Sequence, residues 1–177
     1  NWSTYYTVLA KANEIISFFP EEPGDVQAKG MMAHGYALRA FAYFYLIQLY
    51  QHPVTASGEV NWDAPGVPMY YVAPDGLTTE EQEVRKGRNT VRMVYEQIES
   101  DLLKAGGLFE QGYVRPTKNY MDASVANGLL ARYYLLSQQW DKAISAAQKA
   151  YAPYALDAKL TNAFNDITNS EWMWGFD

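Results

Sequence analysis

The chain begins with a helical rhythm. Over residues 2–18, WSTYYTVLAKANEIISF, the apolar side chains of Tyr5, Val8, Leu9, Ala12, Ile15 and Ile16, continued by Phe19, recur at three- and four-residue spacings, which marks one face of a helix. PEEPG at 20–24 stops it with two prolines and a glycine. A second helix is predicted over about 26–50. Its stretch AHGYALRAFAYFYLIQLYQ (33–51) has almost no polar face, since only His34, Arg39 and Gln48 interrupt it before Gln51. A surface helix carries a polar stripe, so this one is predicted to be covered on nearly every side. Residues 51–89 lose the period and are rich in proline and glycine. Within them a short helix is predicted at 79–86, where Thr78 with Glu81 and Thr79 with Gln82 fit a capping box. Helices resume at 90–105, with Asn89 or Thr90 as cap and Gly106-Gly107 as the end, and then at about 119–137 and 140–151, closed by Pro153. The tail SEWMWGFD is predicted as a strand or an extended arm, and no other strand signal stands out.

The helices repeat. In NGLLARYYLLSQQWDKAISAAQKA (127–150), Leu130, Ala131, Tyr134, Ala143 and Ala150 fall at the spacing of the tetratricopeptide (TPR) pattern. Phe41, Ala42, Tyr45 and Leu46 recur 89 residues later as Leu130, Ala131, Tyr134 and Leu135, and Tyr95, Ile98, Leu102 and Ala105 recur 45 residues later as Trp140, Ala143, Ala147 and Ala150. The expected fold is therefore all-α, with stacked antiparallel TPR-like pairs: 26–50 with 90–105, and 119–137 with 140–151. The first helix of a stacked unit has neighbours on both sides, which accounts for the missing polar face. Residues 1–177 read as a single helical domain, with 51–89 as a loop insertion inside the first pair. Tyr45, Ala131, Tyr134, Ala143 and Trp140 are expected in the core. The start at Asn1 and the end at Asp177 just after a hydrophobic run suggest a piece of a longer protein.

Composition narrows the function classes. A net charge of −6 disfavours nucleic acid as a partner. The absence of cysteine removes disulfides, thiolate metal sites and cysteine nucleophiles. His34 and His52 are the only histidines; the first reads as a core residue and the second as a helix C-terminal cap. No HExxH, GxSxG or GxxxxGK[ST] motif occurs, so no catalytic residue, metal site or cofactor is expected. Glu80, Glu81 and Glu83 read as the first turn of a solvated helix. Arg39 and Arg132, on apolar helices, are expected to snorkel or to pair with carboxylates.

The aromatic content, 15% with 15 Tyr and 5 Trp, points instead to a ligand surface. A pyranose ring offers a C–H face to an aromatic ring and a rim of hydroxyls to amides and carboxylates. EVNWDAPGVPMYY (59–71) supplies both, and Trp62, Asn61 and Tyr70 are the candidate sugar contacts. The competing expectation is that Trp62 and Tyr70 pin the loop to the scaffold. Trp2 is the next candidate, and Trp172 and Trp174 are expected to pack against a further part of the protein.

ALRAFAYFYLIQLY, RNTVRMVYEQIESDLLKA, ANGLLARYYLLSQQWDKAISAAQKA and NSEWMWGF, in that order, resemble the SusD/RagB family. The resemblance runs over about residues 1–176 and is to the family's N-terminal, TPR-rich portion. It implies a lipid-anchored, glycan-binding protein on the outer face of the outer membrane. Such a protein delivers oligosaccharides to a SusC-type TonB-dependent transporter and meets the membrane only through an anchor outside this stretch. The rival expectation is a TPR-type scaffold that binds a protein or peptide without sugar recognition.

Overall fold

The computed structural model describes residues 1–70, 87–159 and 166–176. The helix expected at 79–86 lies outside them, as does Tyr71. Five helices are seen in chain order: α1 (Trp2–Phe18), α2 (Val26–Tyr50), α3 (Val91–Phe109), α4 (Ala123–Leu136) and α5 (Trp140–Tyr151). Among the described residues there is no strand, only two isolated antiparallel bridges, Val54 with Val60 and Pro65 with Thr90. The all-α, TPR-like architecture is thus the observed one.

Short polar side chains set the helix starts. Asp25 accepts from the Ala28 N–H at 2.9 Å, Thr90 from Met93 at 3.3 Å and Asp122 from Val125 at 3.0 Å, each satisfying a donor that the first helical turn leaves free. The end of α3 differs from expectation. The helix runs through Gly106 and Gly107 to Phe109. Phe109 is buried edge-on against His34, 5.1 Å between ring centroids. That burial outweighs the weak helix propensity of two glycines. The left-handed residue that closes the turn is Gly112, with φ of 96°.

The helices pair as the offsets require: α2 packs along α3, and α4 along α5. In addition α1 lies along α2, and α3 meets α4. Helix α2 therefore has α1 on one side and α3 on another, and its Ala37, Ala40, Tyr43, Leu46 and Ile47 are all fully buried. Ala131, Tyr134 and Ala143 are buried as expected, whereas Tyr45 is only half-buried, stacked on Tyr5 of α1 at 5.7 Å. Trp140 departs furthest from expectation: it is 58% exposed. It stands at the repeat position of the fully buried Tyr95, but no described helix follows α5 to cover it.

Among the described residues, buried side-chain polar atoms are paired with one exception. The Tyr95 hydroxyl is buried without a hydrogen-bond partner, and burial raises its pKa above the ordinary value. An unsatisfied buried hydroxyl costs about 1–3 kcal/mol. Tyr95→Phe is accordingly expected to be neutral or to stabilise by about 1 kcal/mol in urea denaturation, and a clear loss of stability would contradict this account.

Two residues of the tail, Met173 and Trp174, pack back on the rest of the described chain. The Arg115 guanidinium donates to the Met173 carbonyl at 2.7 Å, the Trp174 indole N–H donates to the Asn119 carbonyl at 3.1 Å, and Trp174 meets Phe41 edge-on at 5.5 Å.

Candidate functional site

Two separate aromatic surfaces emerge from the sequence candidates. The first is built on α1. Trp2 and Tyr6 stand four residues apart and so share one helix face, their rings 4.7 Å apart; Trp2 also meets Tyr50 edge-on at 4.8 Å. The chain that follows Pro68 is held against this face. The Tyr6 hydroxyl donates to the Pro68 carbonyl at 2.8 Å. The Tyr43 hydroxyl accepts from the Tyr70 N–H at 2.9 Å, the Asn13 amide donates to the Tyr70 carbonyl at 3.0 Å, and Tyr43 also donates to that carbonyl at 3.1 Å. Burial, with Tyr70 adding to it, raises the Tyr6 pKa, which keeps the hydroxyl protonated as a donor.

With its backbone fixed in this way, the Tyr70 ring projects outward, edge-on to Tyr6 at 5.4 Å. Tyr70 is 46% exposed and Trp2 38%. Together with Ser3, Thr7, Lys11 and Glu14 they line an open groove of about 780 Å³. Lys11 and Glu14 pair at 2.9 Å on its rim, and both are largely exposed. The groove thus joins an aromatic floor to hydroxyl and charged rim groups. Tyr6 was not singled out from the sequence, although its spacing from Trp2 carries the signal.

The second surface holds Trp62 and Asn61. Trp62 is half-buried, edge-on to Tyr95 at 5.6 Å, and the Arg92 guanidinium lies 5.4 Å from its ring centre. Its carbonyl accepts from the Arg92 N–H at 2.9 Å, while Arg92 reaches Asp63 at 3.5 Å. Asn61 is exposed and its backbone N–H donates to the Pro53 carbonyl at 2.8 Å. Trp62 therefore leans on α3, whereas Tyr70 belongs with α1 and α2. The structure brings Tyr70 together with Trp2, not with Trp62 and Asn61.

The histidines fall in different places. His34 is buried in the stack. His52 is exposed just past α2, and the capping residue there is Gln51, whose side chain accepts from the His52 N–H at 2.9 Å. Among the described residues no three His, Cys, Asp or Glu side chains gather as a metal site, and no helix is long and apolar enough to cross a membrane.

Comparison with known proteins adds an independent finding. A SusD-like family profile, described as "Starch-binding associating with outer membrane", matches residues 1–135. A SusD-like carbohydrate binding protein from Bacteroides vulgatus overlays with a TM-score of 0.80 at 29% identity, over 98% of this chain and 36% of its own. A SusD superfamily protein from Bacteroides fragilis gives 0.67 at 30% identity, over 88% and 35%. A laminarin binding SusD-like protein shares the fold, with a TM-score of 0.66 at 23% identity over 93% and 35%. The chain thus spans about a third of the length of these structures. No curated protein is similar enough in sequence to count as a relative.

Proposed function

Because this chain belongs to the SusD-like family, we propose that it is the helical portion of a protein that captures oligosaccharides outside the outer membrane and delivers them to a SusC-type TonB-dependent transporter. In this reading the protein binds glycan without turning it over and is held to the outer face by a lipid anchor outside residues 1–177. Its partners are the sugar and the transporter, with no nucleic acid. A relative 29% identical in sequence is itself called a carbohydrate binding protein, which supports the sugar as ligand class.

The observation that carries the reading is the groove in which Trp2 and Tyr70 expose their rings beside Ser3, Thr7 and Glu14. An aromatic face suits the C–H surface of a pyranose and the rim suits its hydroxyls. Tyr70 is the contact placed best for this. Trp62 and Asn61 form a second, separate contact, at which one side of the indole is taken by Arg92.

Calorimetric titration with malto- and β-1,3-gluco-oligosaccharides tests the proposal. A ring contact is worth on the order of 1 kcal/mol, so Tyr70→Ala and Trp2→Ala should each weaken binding roughly fivefold. Absence of binding by every oligosaccharide, or affinities untouched by both substitutions, would refute the site. Trp62→Ala, followed by titration and by thermal melting, separates its two roles. A sugar contact loses affinity with little change in melting temperature, whereas a packing residue destabilises by roughly 3–5 kcal/mol with affinity unchanged.

A further inference from the structure

The ring of Tyr70 is aimed by its backbone, and that backbone is held from two helices. From α2, the Tyr43 hydroxyl accepts from the Tyr70 N–H at 2.9 Å and donates to the Tyr70 carbonyl at 3.1 Å. Both contacts meet at one oxygen atom, so by themselves they leave the residue able to pivot about it. The Asn13 amide, from α1, donates to the same carbonyl at 3.0 Å and removes that freedom. Trp2 and Tyr6 stand on α1 too, so Asn13 ties the Tyr70 backbone directly to the helix that carries the other rings of the groove.

The amide can do this in one orientation only. Its oxygen accepts from Arg39 Nη1 at 3.0 Å, and a guanidinium has donors and no acceptor. Turned over, the amide would set its NH2 against that guanidinium and its oxygen against the Tyr70 carbonyl. The guanidinium is fixed in turn. Its Nε and Nη2 grip the two Asp101 oxygens at 2.8 and 2.7 Å, and Gln97 donates to Asp101 Oδ1 at 2.8 Å. Asn13, Arg39 and Asp101 are all buried. The contacts thus run from α3 through α2 to α1 and end on a residue of the groove.

We propose that the buried Arg39–Asp101 pair is a positioning device for Tyr70, acting through the Asn13 amide. The proposal rests on the reading of the groove as a sugar site. Apolar side chains of similar volume often stabilise as well as a buried ion pair, so tying helices together does not by itself call for charge here. Aiming an amide does call for it. The amide oxygen needs a donor that cannot accept and that is fixed in direction, and a guanidinium locked in two-pronged fashion by a carboxylate supplies both. Met and Leu could fill the same space but would leave the amide without direction. A ring that recognises a ligand must be held to within about 0.5 Å by the groups behind it, and the pair meets that need from the core.

Fluorine NMR of the natural polypeptide, expressed whole with 3-fluorotyrosine at position 70, reads the placement of the ring without any sugar. Asn13→Leu keeps the branched shape but can neither donate nor accept. Arg39→Lys keeps a buried charge for Asp101 but not the fork that reaches Asn13. Circular dichroism establishes that each variant is folded, and Arg39→Met with Asp101→Leu replaces Arg39→Lys if the lysine variant is not. The resonance at position 70 should move toward that of free tyrosine and sharpen in each variant. A second 3-fluorotyrosine, at position 151 on α5, should be unchanged. A resonance at 70 that stays in place in folded protein overturns the inference. So does a change at both positions, which is general loosening. Calorimetric titration adds the link to sugar. Each variant should weaken binding by up to about fivefold, the effect expected of Tyr70→Ala, and should weaken it no further once Tyr70→Ala is present. Undiminished affinity in a protein that Tyr70→Ala does weaken, or losses that add to that of Tyr70→Ala, overturn the positioning role. A protein that binds no oligosaccharide, or binds it regardless of Tyr70→Ala, refutes the sugar site instead, and the fluorine resonance still decides whether the pair positions Tyr70.

Discussion

Asp101→Ala is expected to cost about 3–5 kcal/mol, the penalty for leaving one member of a buried ion pair alone. Asp101 is fully buried on α3, and Arg39 is buried on α2. The guanidinium grips the carboxylate with two hydrogen bonds, of 2.8 Å from Nε and 2.7 Å from Nη2. Its third nitrogen donates to Asn13 of α1 at 3.0 Å, while Gln97 donates to Asp101 at 2.8 Å. The cluster therefore ties three helices together. Burial raises the Asp101 carboxyl above its ordinary pKa and the Arg39 hydrogen bonds hold it down only in part. For Arg39 burial works against the charge, but the hydrogen bonds and charge of Asp101 more than offset it. The two-pronged contact with the guanidinium favours the ionised carboxylate, against a real desolvation cost. In a chain of this size such a loss lowers the melting temperature by roughly 6–20 °C. The double variant Arg39→Met with Asp101→Leu should recover most of it, because apolar replacement of a whole buried pair is often neutral. A single variant that melts like the parent would show that the pair is not desolvated.

Stability should also fall as the pH drops below about 6.5, and His34 is the cause. Its Nδ1–H donates to the Gly30 carbonyl at 2.6 Å, and its Nε2 accepts from the Met121 N–H at 3.0 Å. Phe109, Tyr113 and Tyr120 surround the ring edge-on at 5.1–5.7 Å. That arrangement needs the neutral imidazole, since a proton on Nε2 would confront the Met121 donor. Burial lowers the His34 pKa below 6.5, although the Gly30 hydrogen bond and the Asp122 carboxylate act the other way. The unfolded chain takes up the proton first as pH falls. The contribution of His34 is therefore complete above about pH 6.5 and is lost as pH falls through the lowered value. His34→Ala leaves the Met121 N–H buried without its acceptor and opens a hole among three aromatic rings, at a cost of roughly 3 kcal/mol at neutral pH. Urea denaturation at pH 7.5 and pH 5 should show a shallower pH slope in His34→Ala than in the parent. Equal slopes would assign the pH dependence to other groups.

The helices could be read from the sequence because their apolar spacing is local. The pairing of α2 with α3 and of α4 with α5 followed from two constant offsets that packing had imposed. What the offsets could not reveal was where the stack of described helices stops. Trp140 occupies a core position of the repeat, and only the neighbour above decides whether it is buried. Arg39 was expected to snorkel or to find a carboxylate, but nothing local singles out Asp101 within ESDLLKA, 62 residues away. The site was legible in part. Tyr70 and Trp2 were named as candidates for their chemistry, yet their meeting depends on Tyr43 and Asn13 holding the Tyr70 backbone. Trp62 was named for the same reasons and turned out to lean on Tyr95, a contact between a loop and a helix with no sequence signature.

The clasp between the loop after α2 and the start of α3 has a consequence for how related chains can diverge. Gly66 donates to the Asn89 carbonyl, Asn89 donates to the Val67 carbonyl at 3.2 Å, and the Asn89 side chain accepts from the Met69 N–H at 3.0 Å. A side chain at Gly66 would strike the Asn89 carbonyl oxygen, 2.8 Å from the position of its Cβ, so the closure depends on that glycine. The two ends of the segment from Met69 to Asn89 are thereby fixed side by side, whatever lies between them. Closing a chain between two fixed points costs only about 0.6 kcal/mol more for each doubling of its length. Changes in the length of the chain between Tyr70 and Asn89 should therefore cost the helices beneath little, which makes the clasp a mounting bracket on which descendants of one scaffold can vary what they carry there.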